Sequence, residues 1–347
     1  MLRMDDDMTL PSAMVVSDDK HYFFAMVSAV AQKLEALPVD SPIRMSFSES
    51  RLEAIRQRIE STSGKELEWA YWQPLFLFMR NRPQEAIVAL DHDLQLVVGR
   101  GDKSAARFLG DERDRDGDGP WRASLFEVFA KARLCNSDLL SLEGLDWRLS
   151  NGKNVDARVK IDQRAMNVEC MTRGESDAGK DRWQAHCDSL TENPDAPYFE
   201  RQDAYTAGRM LYGAVYNKLA PDYDSGKSQF APDEPNILLI SLSSTISDVR
   251  ADTPSISWAL DELFNDQPNG GTGPMSLQAF LLLDAERRAS FQDLISVPKR
   301  ISGVLMFDGC ALKHARINYN AYDACRISHR DMALLEQVLS QPPPYWP

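Results

Sequence analysis

Apolar residues recur every three to four positions in residues 22–37 and again in residues 49–63. This period predicts two amphipathic helices, the first of which ends before Pro38. Aromatic side chains crowd residues 67–79, an arrangement more typical of a core than of a ligand platform. We therefore predict that residues 1–110 form a mainly helical N-terminal region that packs on itself.

The pattern changes further along the chain. Residues 125–134 have helical spacing and predict a buried helix, whereas residues 155–162 and 166–172 alternate apolar and polar side chains. Alternation with period two predicts two antiparallel strands joined by a hairpin turn. A longer helix is predicted over residues 200–219, and the uninterrupted apolar run 237–242 predicts a central strand buried on both faces.

These elements suggest an α/β protein with four regions. Residues 1–110 are the helical N-terminal region, and the polar run 111–120 is an acidic loop or linker. Residues 121–245 form the core, and residues 246–347 form an α/β extension packed on it. Further predicted elements are a strand at 146–149, a helix near 258–264, strands at 280–283 and 303–307, and a helix at 331–339.

Composition narrows the function classes. The formal charge of −13, from 39 basic and 52 acidic residues, argues against broad non-specific binding of nucleic acid. Five cysteines without a CxxC pair suit a reducing compartment rather than a zinc ribbon or a disulfide scaffold. Apolar runs fall short of the roughly 18 residues of a membrane span, so we expect a cytoplasmic protein without a membrane partner.

Two acidic side chains are expected to meet on the predicted hairpin. In residues 155–162 the alternation places Asp156, Arg158 and Lys160 on one face of the strand. In residues 166–172, Glu169 shares a face with Met171. A tight turn between the strands would bring Asp156 and Glu169 side by side, and two carboxylates can hold a hard divalent cation that activates water.

This arrangement resembles the PD-(D/E)XK (restriction-endonuclease-like) nucleases, in which an acid on one strand precedes an E-x-K motif on the next. The resemblance assigns Asp156 to the strand acid, Glu169 to the motif and Glu127 to a helix acid that adds a metal ligand. Lys227 and Gln229 resemble the K-x-Q turn before the following strand in several branches. The resemblance implies a mixed central sheet flanked by helices, a Mg²⁺ or Mn²⁺ cofactor, and hydrolysis of DNA in bacterial defence or repair.

The sequence departs from this pattern at Met171, where the family has a lysine that orients or deprotonates water. Arg158 lies about 7 Å from Asp156 along the strand and could stabilise developing charge, but it cannot act as a base. Lys160 and Lys218 are alternative sources of the amine. The methionine at position 171 is compatible with two hypotheses. The protein is a nuclease with a displaced lysine, or it is an inactive descendant that binds a protein partner or forms a homo-oligomer.

A third hypothesis is an unrelated α/β protein with an ordinary half-exposed hairpin. Topology separates it from the other two, because they need Asp156 and Glu169 on neighbouring strands. Phosphate-binding loops, serine-hydrolase elbows and zinc-protease motifs do not occur in the sequence. The five histidines are scattered, and none is adjacent to a predicted nucleophile.

Overall fold

The computed structural model describes residues 20–61, 74–102, 105, 108–109, 118–172, 215, 229–230, 233–242, 260, 264 and 298–346. The chain divides into two compact units. The N-terminal unit comprises Met1–Ala132 with Pro343–Pro347, and the second unit comprises Arg133–Pro342. The predicted helix at 200–219 and strand at 280–283 lie outside the described residues, except that Val215 is helical and buried.

The described part of the N-terminal unit is helical, as predicted. Its helices, with α6 continuing past the end of the unit, are α1 (Lys20–Glu35), α2 (Pro42–Ser46), α3 (Glu49–Ser61), α4 (Pro74–Asn81), α5 (Gln84–Gly99) and α6 (Asp118–Cys135). The helices predicted at 22–37, 49–63 and 125–134 are thereby confirmed. Proline begins α4 because its fixed φ and missing N–H are tolerated in a first turn. Helix α5 was not predicted.

Aromatic side chains fill the interior of this unit. The Trp121 ring lies 5.8 Å from that of Phe78 and 5.5 Å from that of Phe108. All three are buried. Phe76 and Phe78, the aromatic residues of the segment 67–79 that the structure describes, are both buried, as a core role predicts. Tyr345, near the C-terminus, is also buried, and its hydroxyl donates to Asp93 Oδ2 at 2.6 Å. The C-terminal segment is therefore held against the helices of this unit at Tyr345.

The described residues of the second unit form a six-stranded mixed sheet with spatial order β1-β2-β3-β4-β5-β6. The strands are β1 (Ser141–Arg148), β2 (Asn154–Ile161), β3 (Arg164–Thr172), β4 (Asn236–Ser241), β5 (Gly303–Asp308) and β6 (Ala311–Ile317). The β3–β4 and β4–β5 pairs are parallel, and the other pairs are antiparallel. Helix α7 (His329–Leu339) contacts β6. The α/β class is confirmed.

The outer strands differ most from the sequence-based expectation. Strand β1 begins five residues before the predicted start at Asp146, and β6 was not predicted. The central strands agree better, since every residue of β4 is buried, as its unbroken apolar run predicted. Alternate side chains of β4 and β5 belong to an apolar cluster that also includes Val215 and Phe230.

A row of buried polar side chains crosses the sheet at one end. We call Asn167, Asn236, Ser302 and Asn318 the amide row; each is at most 1% exposed. Asn167 Nδ2 donates to Asn236 Oδ1 at 2.9 Å, and the Asn236 backbone N–H donates to Ser302 Oγ at 2.7 Å. Asn318 Nδ2 donates to the backbone carbonyls that precede β5. These bonds offset the cost of removing the amides from water.

Two expectations from composition concern thiols and membranes. The described cysteines Cys135, Cys170, Cys310 and Cys325 form no disulfide bond. Burial raises the pKa of the Cys325 thiol to about 11, which keeps it protonated at neutral pH. Among the helices described, none combines the length and apolar character needed to cross a bilayer.

Candidate acidic site on strands β2 and β3

The hairpin of β2 and β3 brings the two predicted carboxylates together. Paired residues run from Ile161 opposite Arg164 to Ala157 opposite Val168. The turn contains Asp162 in a left-handed conformation, with φ of 53°. One further step in the same register places Asp156 beside Glu169, on the face that alternation predicts for both.

The Asp156 carboxylate binds the backbone of the neighbouring strand. Its Oδ2 atom accepts the Cys170 N–H at 2.6 Å. Going from the turn outward, the last backbone pair between β2 and β3 joins Ala157 and Val168. Beyond this pair, the Asp156 side chain takes the place of a backbone carbonyl as the acceptor for the Cys170 N–H. The contact orients the Asp156 carboxyl group towards the segment of β3 that carries Glu169.

Glu169 is buried, with 2% of its surface exposed. Its Oε2 atom accepts a hydrogen bond from Gln229 Nε2 at 3.2 Å, and the same amide donates to the Asn154 carbonyl at the start of β2. A buried carboxylate is costly unless it is paired with donors or cations. Gln229, predicted as an accessory residue, thus contacts the candidate site, whereas Lys218 and Lys227 lie outside the described residues.

The Met171 side chain is partly buried and packs against the apolar cluster of the second unit. In the parallel register it pairs with Ile240, as Glu169 pairs with Leu238. Its thioether cannot donate or accept a proton under neutral conditions. The position for which the resemblance predicts a lysine therefore serves packing in this chain.

Arg158 is bound by acids other than Asp156. Its Nη1 and Nη2 atoms donate to the Glu234 carboxylate at 2.6 and 2.8 Å, and Nε donates to Glu143 at 2.9 Å. Nη1 also donates to Asn167 Oδ1 at 2.9 Å. The hydrogen bond to Glu234 raises the pKa of Arg158 and, reciprocally, lowers the pKa of Glu234. A catalytic use of Arg158 would have to break these bonds.

We expect this ion-pair network to make stability sensitive to acid. Because the pKa of Glu234 is lowered in the folded protein, its contribution is present at neutral pH and is lost below the usual glutamate range, about 4.3. Arg158→Met should cost about 1–2 kcal/mol at pH 7, since both glutamates keep about a third of their side chains exposed. Urea unfolding at pH 7 and pH 3.5 measures both effects. An equal acid sensitivity in the variant would contradict this assignment.

Lys160 lies at the far end of β2 from the carboxylate pair. Its paired neighbour is Ala165, four residues before Glu169. About 13 Å of strand separates Lys160 from Asp156 at ~3.3 Å per residue. A long side chain covers only part of that distance, so Lys160 is a poor substitute for an amine at position 171.

Glu127 belongs to the N-terminal unit and is paired within its own helix. Lys131 Nζ, fully buried, lies 2.6 Å from Glu127 Oε1 and 3.1 Å from Asp102 Oδ2. Lys131 was not identified from the sequence, although a glutamate four residues before a lysine on a predicted helix is a usable signal. The role of Glu127 as a metal ligand stays a prediction.

No protein-family model, curated protein or solved structure matches this chain. The class of protein is thus defined by the structure itself, as an α/β protein with a mixed six-stranded sheet in its second unit. The function must be argued from the residues on β2 and β3.

Proposed function

We propose that the second unit is a PD-(D/E)XK-like nuclease module that hydrolyses phosphodiester bonds of DNA with Mg²⁺ or Mn²⁺. The observation that carries the proposal is the placement of Asp156 and Glu169 on neighbouring strands, where the β2–β3 ladder ends. Both offer carboxylate oxygens, the donors that hard divalent cations prefer. Gln229, bonded to Glu169, supports the same assignment.

The order of elements gives further support. Helix α6 precedes three antiparallel strands, the acids lie on the second and third, and β4 adds to β3 in parallel. This order is the one that the resemblance to restriction-endonuclease-like cores implies. Strands β5 and β6 extend the sheet beyond the four strands of that core.

Asp156 and Glu169 are the residues of the second unit that would hold the ion. The bound ion would supply an activated water for in-line attack on phosphorus, leaving a 5′-phosphate. Gln229 would fix the orientation of Glu169, and the Cys170 N–H would fix that of Asp156. The missing amine would have to come from a residue other than Met171.

Cleavage assays test this proposal directly. Purified protein with Mn²⁺ is incubated with linear, supercoiled and single-stranded DNA, beside an EDTA control and the Asp156→Ala and Glu169→Ala variants. Cleavage that EDTA and both substitutions abolish is the expected result. Cleavage that survives both substitutions would show that the nuclease activity, if intrinsic, uses another site.

A second candidate function follows from Met171 and Arg158. Met171 packs against an apolar cluster, and Arg158 donates hydrogen bonds to Glu143 and Glu234. These contacts suit a non-catalytic descendant that serves as a binding or assembly module, with a protein partner or a second copy of the chain. Mn²⁺ binding by calorimetry that depends on Asp156 and Glu169, without cleavage of any DNA form, would favour this candidate.

A cytoplasmic setting belongs to the same proposal. The four described cysteines are outside disulfide bonds, which is the state expected in a reducing compartment. A role in bacterial defence or repair is implied only by the resemblance, so it follows the nuclease assignment.

A further inference from the structure

A cavity of about 370 Å³ lies beside β6 and the start of α7. Its apolar lining includes Phe264 and Met332, and its polar lining includes Arg316, Tyr319, His329 and one acidic residue, Glu336. Pockets for small ligands have volumes of roughly 300–1,000 Å³ and combine an apolar body with a few polar groups. The cavity is therefore large enough for a nucleobase with its sugar.

Tyr319 presents an aromatic ring at this cavity. The residue is 65% exposed, yet its hydroxyl lies 3.2 Å from His329 Nε2 and the two rings are 5.9 Å apart at 50°. An exposed tyrosine held by a neighbouring side chain offers a flat surface at low entropic cost. Base stacking on such a ring is tolerant of base identity.

Basic side chains are concentrated on the neighbouring strand. Three exposed basic residues fall within four consecutive positions of β6: Lys313, His314 and Arg316. This local concentration contrasts with the net charge of −13 for the whole chain. An anionic group would be attracted to this strand although the protein as a whole repels polyanions.

Strand β6 also offers backbone groups. It is the outermost strand of the sheet in the described part of the chain, and three consecutive residues, Ala315, Arg316 and Ile317, line the cavity. An edge strand presents N–H and C=O groups that a partner can pair with. The edge of a nucleobase also carries N–H donors and C=O or ring-nitrogen acceptors, which can pair with these backbone groups.

We propose that this cavity binds a nucleotide, with the base stacked on Tyr319 and the phosphate directed to Arg316, the basic residue of β6 that lines the cavity. The nucleotide could be free or could belong to single-stranded nucleic acid, because both present the same base and phosphate. The site is separate from Asp156 and Glu169 and needs no metal ion. Its test is therefore independent of the nuclease proposal.

Binding is measured in EDTA by calorimetry with adenosine 5′-monophosphate and ribose 5-phosphate, and by fluorescence anisotropy with a labelled single-stranded hexanucleotide. We expect the mononucleotide to bind more tightly than ribose 5-phosphate, which lacks the base. Tyr319→Ala should weaken binding about 5- to 100-fold, whereas Tyr319→Phe, which keeps the ring, should stay close to wild type. Arg316→Gln should weaken binding and reduce its salt dependence.

Tyr322→Ala is the matched control, because Tyr322 lies in the same loop and is 39% exposed but does not line the cavity. A hexanucleotide that binds far more tightly than the mononucleotide identifies nucleic acid as the source, and equal affinities identify a free nucleotide. The proposal is overturned if no probe binds at millimolar concentration, or if Tyr322→Ala weakens binding as much as Tyr319→Ala. Glu169→Ala should leave binding in EDTA unchanged, which separates this site from the acidic pair.

Discussion

Met171→Lys is expected to raise metal-dependent DNA cleavage by about 10²- to 10⁴-fold, the usual contribution of a positioned general acid or base. Position 171 follows Glu169 by two residues and therefore faces the same side of β3. Partial burial beside the apolar cluster lowers the pKa of a new lysine, and the Asp156 and Glu169 carboxylates on the same face raise it, so the new amine is expected to act by orienting water and stabilising developing charge. The measurement is the initial rate with Mn²⁺ under single-turnover conditions.

Two substitutions at the same position are the controls. Met171→Leu keeps the apolar packing, and Met171→Gln adds polarity without a titrating amine, so neither should raise the rate. If Met171→Lys folds and binds Mn²⁺ like wild type but cleaves no faster, the absent lysine is not what limits this site. The non-catalytic assignment would then gain support.

Lys131→Met is expected to destabilise the N-terminal unit by about 3–5 kcal/mol, the usual result of removing one partner of a buried ion pair. The Lys131 and Asp102 side chains are both fully buried, with Nζ 3.1 Å from Oδ2. Without the ammonium group, the Asp102 carboxylate would lose its cation in an environment poor in water. Urea unfolding followed by tryptophan fluorescence gives the change in unfolding free energy.

An exposed ion pair in the same unit is the matched comparison. Arg56 and Glu53 lie 3.5 Å apart with substantial exposure, so Arg56→Met should cost less than about 1 kcal/mol. Adding Asp102→Asn to Lys131→Met should recover part of the loss, because it removes the negative charge that Lys131 balances in the buried pair. A loss below about 1 kcal/mol in Lys131→Met alone would show that the pair is not structurally important.

The central sheet was predictable because its patterns are local. Period-two alternation identified β2 and β3, and the unbroken apolar run identified β4. Strand β6 was missed because its exposed polar segment, residues 313–316, looks like surface loop until β5 pairs beside it. Its strand conformation depends on a neighbour rather than on its own hydrophobicity.

Helix α5 was missed for a different reason. Two aspartates, Asp91 and Asp93, are buried among its apolar side chains, and acidic residues in a sequence normally indicate an exposed face. Their burial depends on partners far along the chain: Ser41 donates to Asp91 at 2.6 Å, and Tyr345 donates to Asp93 at 2.6 Å. A sequence pattern cannot reveal such pairs in advance.

The candidate site likewise combines features that follow from the local sequence pattern with features that depend on distant residues. The adjacency of Asp156 and Glu169 follows from alternation and one turn, so it was predictable. The ion pair between Arg158 and Glu234 joins residues 76 positions apart and could not be inferred locally. This pair changes the interpretation of Arg158 from a free cation near the acids to a cation that is already neutralised.

The amide row has a consequence for how the sheet assembles. The connections 173–235 and 242–302 are each longer than sixty residues, so β3, β4 and β5 must find one another without a hairpin to set their alignment. A slip of one residue would turn Asn167 and Asn236 towards the opposite, apolar layer and leave each amide unsatisfied, at about 1–3 kcal/mol per group. The amide row therefore favours one register of the three strands, because every shifted register leaves buried amides without hydrogen bonds.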